Sequence, residues 1–249
     1  MTTTSVTHVL SRANAAMVGP HRDVTGALAE LLTGVVDVLS ANAAAVLVTS
    51  SDVLEVLTAT SHRAADLEIH QIQLSEGPCL DAVRTGENVT ERGAAAIRER
   101  WPLAGPVIVA AGYTGVQATP LRWHDETFGA LNVFWSDEED VPDLAAEARA
   151  MAEARAMADA LTLVLVSGNL GTEALAESLH AALQRRGVVE QAKGALAHVL
   201  GIDTVEAFDA LTDLARREDV TLGRAAERVM ALARRGTLGD HVGSADPRG

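Results

Sequence analysis

The sequence predicts an α+β domain, built on an antiparallel sheet with flanking helices, followed by an all-α domain of three helices. Three observations carry this. Two pairs of β-rich runs are each split by a short polar tip, strand signals vanish after Pro142, and from there apolar residues recur only at helical spacing. At 249 residues the chain has room for one or two domains. Its residues are 48% hydrophobic but only 3% aromatic, so the core must be assembled from Ala, Val and Leu.

Residues 1–21 read as an N-terminal segment, and 22–168 as the first domain. Its first helix runs from Val24 to Leu39, with Leu28, Leu31, Leu32, Val35 and Leu39 three and four residues apart. The period then changes. Ala44 to Thr49 and Val53 to Thr58 flank Ser50-Ser51-Asp52 as one hairpin, and Val116 to Arg122 and Phe128 to Trp135 flank His124-Asp125-Glu126-Thr127 as another. Between them lie a middle strand around Leu67 to Leu74, a short helix from Pro78 to Arg84 stopped by Gly86, and a helical segment from Ala94 to Arg100.

From Pro142 a long helix of strong helix formers reaches Val166. Leu144, Ala148, Met151, Ala154, Ala158, Leu161 and Leu165 form a narrow small-residue seam along it, suited to another helix from this chain or a second subunit. Ser167-Gly168-Asn169-Leu170-Gly171 breaks the pattern. Three helices then fill 169–236: Glu173 to Leu200 closed by Gly201, Thr204 to Arg217 capped by Asp203 or Thr204, and Leu222 to Ala233 capped by Thr221 and closed by Gly236. The tail, 237–249, has no apolar period and reads as disordered.

Charge narrows the function. The net charge of -14 disfavours non-specific coating of nucleic acid, yet the charge is unevenly placed. Residues 1–168 carry 10 basic and 22 acidic side chains, residues 169–249 carry 10 and 12, and the later basic residues arrive as Arg185-Arg186, Arg216-Arg217 and Arg234-Arg235. One cysteine, Cys79, excludes an internal disulfide and a multi-cysteine metal site, and the histidines show no metal-ligand spacing; no metal or cofactor is expected. The sequence contains no GxxxxGK[ST], GxSxG or CxxC, so an enzyme is not expected. With no signal-like opening and no apolar run of membrane length, a cytoplasmic protein without membrane association is the expectation.

The stretch LQRRGVVEQAKGALAHVLG, followed by EAFDALTDLARREDVTLGRAAERVM, resembles the ANTAR family, three-helix RNA-binding domains of bacterial antitermination regulators. The matching positions include Leu183, Arg186, Val189, Glu190, Gln191, Ala192-Lys193-Gly194, Leu196, Ala207-Phe208, Leu211, Ala215, Leu222 and Ala226. Gly187, Ala197 and Thr212 depart from the pattern. Residues 22–166 resemble a GAF domain, a small-molecule sensing or dimerising module. That resemblance rests on the order of elements, on Glu76-Gly77-Pro78-Cys79-Leu80 opening a helix, and on Gly129-Ala130-Leu131-Asn132-Val133 in the last strand.

Together the resemblances imply a ligand-responsive, homodimeric regulator that binds stem-loops in nascent mRNA and controls transcription termination. The RNA-contact candidates are Arg185, Arg186, Gln191, Lys193, Gly194, Arg216, Arg217, Arg224 and Arg228. Phe208, spaced with Leu211 and Leu214, reads as core, which leaves recognition to Arg and Lys on phosphate and loop bases. Lys193, the only lysine, also fits an ordinary surface pair with Glu190. Candidate ligand-pocket residues are Cys79, Trp101, Tyr113, Trp123 and Phe134, for which filling of the core is the competing explanation. Cys79 at a helix start favours a thiolate, although no second cysteine is present to resolve an oxidised form. A competing reading of the whole chain is a dimeric adaptor whose three-helix end docks a protein.

Overall fold

The computed structural model describes residues 5–18, 23–50, 53–136, 144–166 and 172–239. The chain forms two compact units, Met1–Asn14 with Ala27–His180 and Ala15–Gly26 with Ala181–Gly249. The sequence placed the boundary at a loop after residue 168. The units divide instead inside three helices, α1 (Val6–Val18), α2 (Val24–Val38) and α8 (Thr172–Leu200). The expected breaker, 167–171, and residues 240–249 of the expected disordered tail lie outside the described residues; the tail's first residues, 237–239, are ordered, with the Thr237 amide on the Leu232 carbonyl and Leu238 buried.

The first unit is an α+β domain. Its five-stranded antiparallel sheet has the order β2-β1-β5-β4-β3, from β1 (Ala43–Ser50), β2 (Val53–Ala59), β3 (Val89–Arg92), β4 (Gly115–Trp123) and β5 (Glu126–Trp135). Both predicted hairpins form, and β1 joins them by pairing Leu47 with Ala130 of β5. The central strands are buried on both faces, which explains their nearly continuous apolar sequences. On one face Leu47, Val116, Ala118, Ala130 and Phe134 pack with residues of α3 (His62–Leu74), α4 (Pro78–Thr85), α5 (Ala94–Arg100) and α6 (Ala104–Ala110). The alternate residues Val46, Val48, Leu121, Leu131 and Val133 are buried as well. Gly129 is required where β5 meets β1, because a Cβ there would collide with the Leu47 carbonyl oxygen.

α7 (Leu144–Val166) packs on β4 and buries Ala154, Ala158, Leu161 and Leu165 within the chain. The sheet therefore takes up much of the seam that the sequence offered to another helix.

One expected strand is a helix. Leu67 to Leu74 lies in α3, whose N-terminus Ser61 caps by accepting from the Ala64 amide at 3.1 Å. Ala64, Leu67, Glu68 and Gln71 are buried at helical spacing. Two polar residues in that stripe concealed its period. Three further elements, α1, β3 and α6, are short or weakly patterned and were not among the predicted elements.

In the second unit α8 is followed by α9 (Thr204–Arg217) and α10 (Leu222–Arg235), the predicted three helices. Asp203 and Glu206 form a reciprocal capping box at α9. Thr221 caps α10 by accepting from the Arg224 amide, and Gly236 closes it at φ 71°. The core consists of small and branched residues: Val189, Ala192, Leu196, Ala207, Leu211, Ala215, Leu222, Ala225, Ala226 and Val229.

Candidate functional sites

The amphipathic periods that bury this core leave the basic side chains of the second unit outside it. Arg185, Gln191, Arg216, Arg217, Arg224 and Arg228 are exposed, and Arg186 is half-buried. Arg185 donates from Nε to the Ala181 carbonyl at 3.1 Å, and its Cδ lies beside Gly223 at the start of α10. Arg216 pairs with Asp213 at 3.2 Å, Arg224 with Glu227 at 3.8 Å, and Arg228 with Glu218. Exposed pairs of this kind contribute about 0–1 kcal/mol each, so a phosphate can replace the carboxylate at little cost.

Lys193 differs from these arginines. Its side chain is only 14% exposed, its Nζ lies 3.0 Å from both Glu190 carboxylate oxygens, and it sits 5.7 Å from the centre of the Phe208 ring. The ion pair lies within α8, and the cation–π contact joins α8 to α9. Phe208 itself is half-buried beneath this ammonium. A Cβ at Gly194 would meet open space, so internal packing does not demand glycine there.

The first unit holds a second cluster. Cys79, Trp101, Tyr113 and Phe134 come together in one packed core. Trp123 does not join them: it is half-buried at the end of β4, its ring 4.6 Å from that of His124. Trp101 donates from Nε1 to Asp81 at 2.9 Å, and the Tyr113 and Phe134 rings are 5.0 Å apart.

Next to Cys79 lie three fully buried polar side chains that the sequence reading did not select: Glu68, Gln71 and Asn132. Asn132 donates to Glu68 Oε1 at 2.6 Å and Gln71 to Oε2 at 2.9 Å. Burial raises the Glu68 carboxyl from 4.5 to about 7, against the opposing hydrogen bonds from Asn132 and Cys79. Burial, and then the charge of Glu68, push the Cys79 thiol well above its usual range. The helix-start position thus fails to make a thiolate, and a reactive Cys79 is not what this environment supports. Gln71 Oε1 and Asn132 Oδ1 accept no hydrogen bond among the described residues. Gln71 also explains Gly77, whose φ is 142° and where a Cβ would collide with Gln71 Oε1. A lone Asn inside the apolar run GALNV was the one sequence signal for this cluster.

Residues 177–230 match the ANTAR domain family, so the second unit carries an ANTAR domain where the resemblance placed it. The motifs that carry the resemblance to GAF domains fall at the start of α4 and within β5. Several solved structures are similar to this chain at low identity. The GAF domain of an Acinetobacter phosphoenolpyruvate-protein phosphotransferase is 13% identical, with a TM-score of 0.45 over 67% of this chain and 95% of its own. The A. aeolicus nlh2 GAF domain in an inactive state is 11% identical, with a TM-score of 0.47 over 66% and 97%. A phycoerythrobilin-bound GAF domain from a cyanobacterial phytochrome is 14% identical, with a TM-score of 0.43 over 66% and 97%. No curated protein matches the chain. Among the described residues, no helix is long and apolar enough to cross a membrane.

Proposed function

We propose that this chain is a ligand-responsive RNA-binding regulator that binds stem-loops in nascent mRNA and controls transcription termination. The observation that carries the reading is the ANTAR match over 177–230, on helices that expose Arg185, Arg216, Arg217, Arg224 and Arg228, three of them, Arg216, Arg224 and Arg228, in weak, exchangeable pairs. In this reading the first unit, GAF-like in its motifs, senses a small molecule, and the chain works as a cytoplasmic homodimer without catalysis. Arginine contacts to phosphate and to unstacked loop bases replace aromatic stacking, since Phe208 is the one aromatic residue after Trp135. Lys193 contributes chiefly by holding α8 and α9 in register, and reaches RNA only by leaving Glu190.

The test is titration of a labelled stem-loop RNA by the full chain at several salt concentrations. Replacing Arg217 or Arg224 with Ala is expected to weaken binding by about 1–2 kcal/mol and to flatten the salt dependence, because fewer counterions are released. Salt-independent or absent binding to stem-loop RNA by the folded protein overturns the reading in favour of a protein-docking adaptor.

A further inference from the structure

One carboxylate in the second unit serves two helices. Asp23 stands just before α2, and its own amide donates to the Ala16 carbonyl at 3.0 Å. Its Oδ1 accepts from the Gly26 amide at 2.8 Å, which caps α2. Its Oδ2 accepts from the Leu222 amide at 2.8 Å, at the first residue of α10 and 199 positions away in the chain. Leu222 N–H is one of the donors that a helix start cannot satisfy internally, and Thr221 already serves the Arg224 amide. Thus α10 has two caps, one local and one brought from the start of α2.

We infer that Asp23 is a latch that restrains RNA binding by planting the chain's own negative charge at the start of α10. The position matters because two candidate RNA contacts flank it. Arg224 lies in the first turn of α10, and the Arg185 stem runs beside Gly223. A carboxylate on the positive end of a helix offsets the helix dipole and lowers the local potential available to phosphate. Because α2 continues from this cap into the first unit, the latch opens when α2 withdraws Oδ2 from Leu222. The latch rests on the RNA-binding reading above.

Asp23→Asn separates the two caps, since an amide offers one acceptor oxygen where a carboxylate offers two. That oxygen is expected to stay with Gly26, three residues away, and to release Leu222. In the full chain, single-residue amide exchange by NMR should then show faster exchange at Leu222 and unchanged protection at Gly26. Stem-loop RNA should bind about three- to tenfold more tightly, as loss of one opposing charge near phosphate implies, with a steeper salt dependence. Unchanged exchange at Leu222 overturns the latch. So does faster exchange with unchanged RNA affinity, since the contact would then be a cap and nothing more. If neither parent nor variant binds the RNA, the RNA reading fails, and the Leu222 exchange alone decides whether the shared cap exists.

Discussion

The two units handle charge in opposite ways. The first draws a carboxyl, two amides and a thiol into the space between its sheet and α3–α4, where Glu68, Gln71, Cys79 and Asn132 are completely enclosed. Lys193 aside, the second keeps its arginines at or near the surface, in pairs such as Arg216–Asp213 and Arg224–Glu227 that water screens. A buried polar group must be matched inside the protein or its desolvation counts against the fold. An exposed one remains free to exchange partners. Charge in the first unit therefore governs stability, whereas charge in the second is available for recognition.

The largest expected effect separates the units by their cores. Phe134→Ala removes a fully buried ring packed on Tyr113, and should destabilise the first unit by about 3–5 kcal/mol. Chemical denaturation followed by tryptophan fluorescence reads the first unit alone, because all three tryptophans precede residue 136. Helix signal from α9 and α10 should persist beyond that transition; simultaneous loss of both would show that the units do not unfold separately.

A somewhat smaller effect sharpens the electrostatic contrast. The Glu68 carboxyl is raised in the folded state from 4.5 to about 7, so the native protein holds this proton more tightly than the unfolded chain. Stability from this group is complete below pH 4.5, declines as pH rises toward 7, and levels off above that. The decline is on the order of 3 kcal/mol at 1.36 kcal/mol per pH unit. Glu68→Gln should abolish this slope in thermal melts between pH 5 and 7.5. A parent protein equally stable across that range would contradict the burial argument.

The smallest effect belongs to the second unit. Gly194→Ala fills open space on an exposed helix face, and should raise the stability of α8 by about 1 kcal/mol. If RNA approaches the helix there, affinity should fall although the fold is firmer. Equal affinity for stem-loop RNA would move the contact surface away from Gly194 toward α10.

Local patterns in the sequence were enough for the hairpins, for the three helices of the second unit and for their caps. Asp203, Thr221 and Gly236 act through neighbours within five residues, and chemistry at that range is written in adjacent letters. The candidate sites were less legible. The sequence placed Cys79, Trp101, Tyr113 and Phe134 together but added Trp123, because its aromatic spacing is silent about which end of β4 faces the core. Reading α3 as a strand hid Glu68 and Gln71, since their burial is apparent only at the helical period.

The sequence by itself determined the two hairpins, the three helices of the second unit, and the ANTAR stretch with its basic surface, because periodicity and local capping need no distant partner. Only tertiary structure decided that α7 covers the sheet, that Lys193 sits over the Phe208 ring, and that Glu68 meets Asn132 across 64 positions. It also brought Asp23 to Leu222, 199 positions away. Such contacts depend on desolvation and on which faces meet, and a linear pattern specifies the faces without specifying what is set against them.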